Sequence, residues 1–251
     1  MGNDVVFGAN AVREALRARG RVNRLYLAQE SRARDAVALA GLARAQGVRF
    51  DFVPQAKLNA LAGTHEHQGV VARVSPVEYA VLDEWLGACP ARALLLVLDQ
   101  VQHPKNVGLL LRTALGAGAA GVLMPARGGA LLDESIVRSS AGAVFHIPVI
   151  TCRNLAQALR KVRDAGFWAY GLDASGEASV FETDWPARCA LVLGNETRGL
   201  RPGVRKVCDA LVRIPLAGGL ESLNAAVAAG VALFQVAARH GAMGERPAGS
   251  D

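Results

Sequence analysis

Three stretches of this sequence place side chains that can donate, accept or carry charge at the end of an apolar run. In LLLVLDQVQHPKNVGLLLRTA, from Leu94 to Ala114, Asn106 stands near the start of a helical pattern and Arg112 follows six residues later, less than two turns on. An Asn there serves most simply as an N-cap, and an Arg on a helix as a solvated charge. The run around it is so apolar, however, that a guanidinium at position 112 is expected to be half-buried and to need an anion. Phosphate suits it, because the planar fork meets two oxygens at once. In LVLGNETRGL, from Leu191 to Leu200, Glu196 follows Gly194-Asn195 and precedes Arg198. It reads either as half of a surface ion pair or as a carboxylate placed to hold a cofactor amine or a base edge. In IPLAGGLESLN, from Ile214 to Asn224, Gly218 and Gly219 make a tight loop, Ser222 stands where the cap of the next helix belongs, and Asn224 lies in the same turn.

These residue types suit binding, orientation and charge stabilisation. The histidines, His65, His67, His103, His146 and His240, have no nucleophile and acid arranged around them, which disfavours hydrolysis. Neither GxGxxG nor GxxxxGK[ST] occurs in any of the three loops, so the usual dinucleotide and P-loop fingerprints are missing. Cys89, Cys152, Cys189 and Cys208 are scattered without a CxxC pair or a histidine at ligand spacing. Reduced thiols are expected, with no zinc site and no disulfide framework.

The elements that must position these loops follow from periodicity. From residue 93 onward apolar strands alternate with helices, which predicts a mostly parallel α/β sheet covered on both faces, with ligands at the carboxyl ends of its strands. Helices are expected over 107–117, near 133–141, over 154–165 and, rich in small residues, over 225–238. The first 75 residues predict a separate αβαβαβ unit: helix 10–18, strand 24–28, helix 33–46, strand 49–53, helix 55–62 and strand 69–74. Between them, SPVEYAVLDEWLGACPAR at 75–92 loses the period and reads as a linker over 76–92, and the tail from Gly241 as disordered.

With 251 residues, half of them apolar, the chain can bury two modest cores. No apolar run reaches membrane-spanning length and the N-terminus lacks a leader pattern, so a cytoplasmic protein is expected. The formal charge is +6, of which +5 falls within the first 75 residues, where 11 Lys and Arg face 6 Asp and Glu. Arg13, Arg17 and Arg24 belong to the cluster Arg13, Arg17, Arg19, Arg21, Arg24, Arg32 and Arg34. It reads equally as an Arg-rich solvated surface or as an RNA contact.

Taken in order and spacing, N-x-G-x-x-x-R-T-A at 106–114, L-G-N-E-x-x-G-L at 193–200 and I-P-L-x-G-x-x-x-S-L-N at 214–224 resemble the three motifs of the SpoU (TrmH-like) branch of the SPOUT RNA methyltransferases. FGANAVREAL near the start and HQGVVARV at 67–74 resemble the ends of the L30e-like RNA-binding domain that precedes the catalytic domain in bacterial 23S rRNA guanosine 2′-O-methyltransferases. The resemblance implies a C-terminal trefoil knot and a homodimer. It also implies S-adenosylmethionine held by backbone around Leu193, Gly194, Ile214, Leu216, Ser222 and Leu223. The reaction implied is methyl transfer to a ribose 2′-hydroxyl, needing no metal. Arg112 then lies nearest the departing proton, with Asn106, Glu196, Ser222 and Asn224 completing the site, and Arg13, Arg17, Arg24 and Arg112 touch RNA. Whether Arg112 is a base or a clamp on phosphate and alkoxide stays open, although a guanidinium keeps its proton at almost any pH. One departure from the family pattern is His103, where an acidic residue commonly precedes the proline. A tRNA substrate, another rRNA site, or a non-catalytic assembly factor are the alternatives.

Overall fold

A computed structural model of the chain describes residues 4–18, 20–29, 34–128, 132–218, 220 and 222–241. In chain order the elements begin with β1 (Asp4–Phe7), α1 (Ala9–Arg17), β2 (Val22–Ala28), α2 (Arg34–Ala45), β3 (Phe50–Val53), α3 (Gln55–Ala62) and β4 (Val70–Val74). They continue with α4 (Leu82–Ala88), β5 (Ala93–Leu98), α5 (Pro104–Gly116), β6 (Gly121–Pro125), α6 (Glu134–Ser139), a 3-10 turn (Ala143–Phe145), β7 (Val149–Cys152) and α7 (Leu155–Asp164). The last are β8 (Trp168–Leu172), β9 (Ala178–Ser179), β10 (Arg188–Leu193), α8 (Pro202–Arg205), β11 (Ala210–Arg213) and α9 (Ala225–Arg239). Two compact units result, Met1–Glu78 with Leu131–His146, and Tyr79–Ala130 with Ile147–Asp251.

In the first unit four strands lie in the order β1-β4-β2-β3, with β2 and β3 parallel and β4 antiparallel to both β1 and β2. The expected αβαβαβ pattern gains a leading strand, because Asp4–Phe7 pairs with the distant β4 and too few residues precede α1 to reveal a period. Side chains alternate across the sheet. Phe7, Tyr26, Ala28, Val53 and Val71 pack on Leu58 of α3. On the opposite face Leu25, Leu27 and Ala72 are fully buried, as are Val12, Leu16 and Leu39 on α1 and α2. The stretch 132–146 also belongs here, although it lies inside the 93–240 region that periodicity assigns to the catalytic half. Asp133 caps α6, its Oδ1 accepting from the N–H groups of Ser135 at 3.0 Å and Ile136 at 3.2 Å. Arg138 then stands 5.2 Å over the Phe7 ring and His146 Nε2 lies 3.1 Å from Glu14 Oε2.

The second unit holds seven strands in the order β7-β6-β5-β10-β8-β11-β9, with every described pairing parallel. Strands such as β5, ALLLVL, are buried throughout, as a sheet covered on both faces requires. Leu95, Val97, Leu123 and Val192 pack against Leu155, Leu159 and Val162 of α7. The alternate Leu94, Leu96 and Leu98 are buried on the other side, where α5 and α9 pack together. Residues 76–92 are not a plain linker. Ala80 donates its N–H to Val149 O at 2.8 Å, and Trp85 of α4 donates Nε1–H to Ala120 O at 3.0 Å. Seven helical residues are too few to display a 3.6-residue period, and the flanking prolines hide them further.

From β5 the chain runs outward one way to β6 and β7, then crosses to β8, β10 and β11 on the other side. The order therefore reverses at the β5/β10 boundary, the kind of place near which open α/β sheets hold their ligands. Burial pushes the Cys152 thiol up to about 11 and those of Cys189 and Cys208 up to about 12, and all four cysteines are free. Among the described residues no helix is long and apolar enough to cross a membrane.

Candidate active site

Beyond the carboxyl ends of β8, β10 and β11 lies a cavity of about 410 Å³, and Leu193, Gly194, Ile214, Leu216, Ser222 and Leu223 all line it. Each of the six stands after, or at the end of, a strand: Leu193 closes β10 and Gly194 follows it, and the other four belong to the segment joining β11 to α9. Gly194 has no alternative residue at its position. A Cβ there would lie 2.6 Å from Gly199 O and closer still to Gly199 C and Leu200 N. The chain doubles back tightly at this point, as Asn195 N–H donates to Gly199 O at 3.0 Å and Gly199 N–H returns to Asn195 O at 2.9 Å.

That loop aims Glu196. Asn195 Oδ1 accepts from the Thr197 and Arg198 N–H groups at 3.1 and 3.2 Å, an Asx turn that holds the loop's shape. Its Nδ2 donates to Gln100 O at 2.9 Å, tying the loop to the end of β5. Asn106 Nδ2 donates to Glu196 Oε1 at 2.9 Å, and Asn195 Nδ2 reaches Oε2 at 3.3 Å. Asn106 is thus not a helix cap. Helix α5 begins at Pro104, where a missing N–H costs nothing, and leaves the amide of Asn106 free to meet a carboxylate 90 residues away in sequence. Behind the loop Asp99, fully buried, accepts from Arg201 N–H at 2.8 Å and from Arg201 Nε at 2.6 Å. Asp99 and Arg201 belong to none of the candidate residues read from the sequence, although a carboxylate directly after an all-apolar strand is a visible signal.

Asn224, not Ser222, caps α9: its Oδ1 accepts from Ala226 N–H at 2.9 Å and Val227 N–H at 3.4 Å. The helix starts at Ala225, which puts Ser222 outside cap geometry and leaves it exposed on the cavity wall. Gly219 lies outside the described residues. Asn224→Ala is expected to lower stability by about 1 kcal/mol, the usual cost of losing a cap. Chemical unfolding read by far-UV circular dichroism checks this; an unchanged midpoint removes the cap from the account.

Arg112 is exposed on α5, not half-buried. Val107, Leu110, Leu111 and Ala114 turn inward, so the outward stripe takes Lys105, Leu109 and Arg112. Six residues turn a helix through about 600°, so Arg112 projects about 120° away from Asn106. No side chain among the described residues pairs with it. Asp173, just past the end of β8, joins the cavity lining, a position the sequence motifs do not mark. Burial pushes its carboxyl up, but hydrogen bonds from Ser175 and the Arg205 cation outweigh that and hold it below its ordinary value.

In the first unit three arginines of the cluster have carboxylate partners, and Arg21 donates to Pro76 O at 3.3 Å. Arg13 Nη2 lies 2.5 Å from Asp35, Arg17 Nη1 2.8 Å from Glu14 and Arg24 Nε 2.7 Å from Asp51. Arg19 and Arg32 lie outside the described residues. The carboxylate beside Arg24 raises its pKa, and the guanidinium lowers that of Asp51.

Comparison with known proteins bears on both units. Residues 93–234 match the SpoU rRNA Methylase family, and residues 5–80 match the RNA 2′-O ribose methyltransferase substrate binding family. The chain is 38% identical over 233 residues to the 23S rRNA (guanosine-2′-O-)-methyltransferase RlmB of Ralstonia nicotianae, covering 92% of this chain and 94% of that protein. It is 37% identical over 246 residues to YacO of Bacillus subtilis, a protein placed in the TrmH family of tRNA/rRNA methyltransferases, covering 97% of this chain and 98% of that one. The crystal structure of the SpoU methyltransferase AviRb from Streptomyces viridochromogenes, in complex with AdoMet, superposes with a TM-score of 0.78 at 28% identity, covering 95% of this chain and 90% of that one. The chain belongs to the SpoU rRNA methylase family.

Proposed function

We propose that the chain is an S-adenosylmethionine-dependent RNA 2′-O-methyltransferase that modifies a guanosine of 23S rRNA. The observation that carries this reading is one cavity walled by the segments that follow β8, β10 and β11, with Glu196 in its lining tied to Asn106 of α5. The cavity suits the cofactor. Its volume falls within the range of small-molecule sites, and apolar Leu193, Ile214, Leu216 and Leu223 offer faces for an adenine. Asp173 and Glu196 put two carboxylates around a ligand that carries a sulfonium and an ammonium. Relatives named for 23S rRNA guanosine 2′-O-methylation and an AdoMet-bound structural neighbour support the substrate and the cofactor.

When bound, the cofactor supplies an electrophilic methyl on sulfur. The protein's task is to hold a ribose 2′-oxygen in line with it and to ease loss of the hydroxyl proton. Glu196, oriented by the Asn106 and Asn195 amides, fixes the rim on which the acceptor nucleotide rests. Ser222, with its hydroxyl exposed at the wall, offers that nucleotide a hydrogen bond. Arg112 clamps the neighbouring phosphate and stabilises the developing alkoxide as a permanent cation.

Arg112 reaches such a site within a homodimer. Leu109, Val227 and Phe234, at 39%, 55% and 42% exposure, leave an apolar face on α5 and α9, and a second copy would cover it. The same reading has the segment after β11 threaded as a trefoil knot around the cofactor, the first unit holding the RNA, and the reaction taking place in the cytoplasm with its rRNA substrate.

The test is methyl transfer from labelled S-adenosylmethionine to unmodified 23S rRNA and to tRNA, with the product mapped by resistance to alkaline cleavage. Label on a 2′-oxygen of a 23S guanosine is the expected result. Label on tRNA alone overturns the substrate, and none on either RNA overturns the reaction.

A further inference from the structure

The open half of the first unit's sheet carries a row of arginines that its carboxylates do not balance. Register aligns Arg73 of β4 with Arg24 of β2, and a bulge between Val22 and Arg24 brings them abreast. Both lie on the face of Tyr26 and Val71, which α3 covers only in part. Arg49 stands one residue before β3, and its carbonyl accepts from Leu25 N–H at 3.0 Å. Two residues before Asp51, it falls on the same side of the pleat. Lys57 adds a fourth cation, its Nζ 5.9 Å over the Tyr26 ring, beside Arg24 at 5.8 Å.

Like charges directly opposite on a sheet face repel and destabilise it. Here three guanidinium groups span adjacent strands spaced about 4.8 Å apart. Asp51 pairs with Arg24 and also feels the charge of Lys57, but neither Arg73 nor Arg49 pairs with any side chain among the described residues. Arg24, Arg49 and Lys57 are exposed and Arg73 half-buried. Arg13 and Arg17 on α1 have carboxylates within 2.8 Å, as Arg24 has in Asp51 at 2.7 Å, whereas Arg49 and Arg73 have none among the described residues, and it is these two that leave the face in excess of positive charge.

We infer that this face, Arg24, Arg49, Lys57 and Arg73, is where the first unit grips the phosphate backbone of its RNA. The inference rests on the proposed function for the nature of the polyanion. Phosphates seated between the guanidinium groups would turn the repulsion into attraction, and Tyr26, flanked by two cations, forms the floor.

The experiment titrates full-length protein with unmodified 23S rRNA transcript over a series of salt concentrations, comparing wild type, Arg49→Ala/Arg73→Ala, Arg49→Lys/Arg73→Lys, and Arg160→Ala as a control charge elsewhere on the surface. Each phosphate left without its cation lowers the slope of log affinity against log salt by about 0.7–0.9, so the double alanine variant is expected to lose about 1.5 from the slope and roughly 10-fold or more in affinity near 0.1 M salt. The double lysine variant retains most of both, and the melting temperature of the alanine variant stays level or rises. An affinity and slope for the alanine variant equal to those of Arg160→Ala overturn the inference, including in favour of an acidic protein partner. Methyl transfer by the wild type on the same transcript is read in parallel. Transfer with unaltered binding by the alanine variant overturns this face alone, while absence of transfer overturns the proposed reaction and leaves the binding result to decide the face.

Discussion

Arg112→Ala is expected to lower the single-turnover rate of methyl transfer by about 10²–10³, the usual loss when one preorganised donor to a developing oxyanion is removed. The side chain is exposed on α5 and pairs with nothing else among the described residues, so the substitution should leave stability within about 0.5 kcal/mol of wild type. It lies outside the cavity lining, so affinity for S-adenosylmethionine should also persist. A rate defect with intact folding and cofactor binding is the signature of a group that meets the RNA in the transition state. Arg112→Lys separates charge from shape: an ammonium keeps the cation but loses the two-pronged contact, and an intermediate rate is expected. A wild-type profile that stays flat from pH 7 to 10 counts against Arg112 as a base. An unchanged rate in Arg112→Ala removes the residue from the site.

Gly194→Ala is expected to abolish measurable cofactor binding, a weakening of at least about 100-fold, or some 2.7 kcal/mol. The physical ground is one missing methyl group. Backbone atoms of Gly199 and Leu200 occupy the space a Cβ needs, with Gly199 O at 2.6 Å and two others nearer. Those atoms cannot retreat cheaply, because the Asn195–Gly199 hydrogen bonds and the Asp99–Arg201 contacts fix both sides of the loop. The loop must lift as a whole. Lifting carries Glu196 away from Asn106 and opens the wall that Leu193, Glu196 and Thr197 provide. Overpacking of this kind also costs about 1–3 kcal/mol of stability. Calorimetric titration with S-adenosylmethionine and a thermal melt on the same sample distinguish the two effects. Binding at wild-type affinity by a variant with a wild-type melting temperature would contradict this geometry.

Local pattern in the chain encodes the α/β class and the parallel sheet, whereas the six residues found lining the cavity are pointed to only by the resemblance of the motifs around them to the SpoU family. Class and sheet depend on information held within about a dozen consecutive positions: an apolar strand, a turn built of glycine and asparagine, and the period of the following helix. Glycine at 194 and the Ile214–Asn224 loop are readable for that reason. Interactions that depend on distant residues needed the tertiary structure. Sequence offers no means of knowing that the Asn106 amide meets Glu196, that Asp99 is sealed under Arg201, or that residues 132–146 leave the catalytic half for the first unit. Cap assignment misses by two residues because Ser222 and Asn224 are both good caps, and only the start of α9 at Ala225 chooses between them. The arginines show the division most plainly. Charge counting locates the basic third of the chain, but partners are set by folding, and Arg13, Arg17 and Arg24 prove to have carboxylates beside them. The row formed by Arg24 with Arg73 depends on a bulge and a strand register spanning 49 positions, which no local pattern encodes.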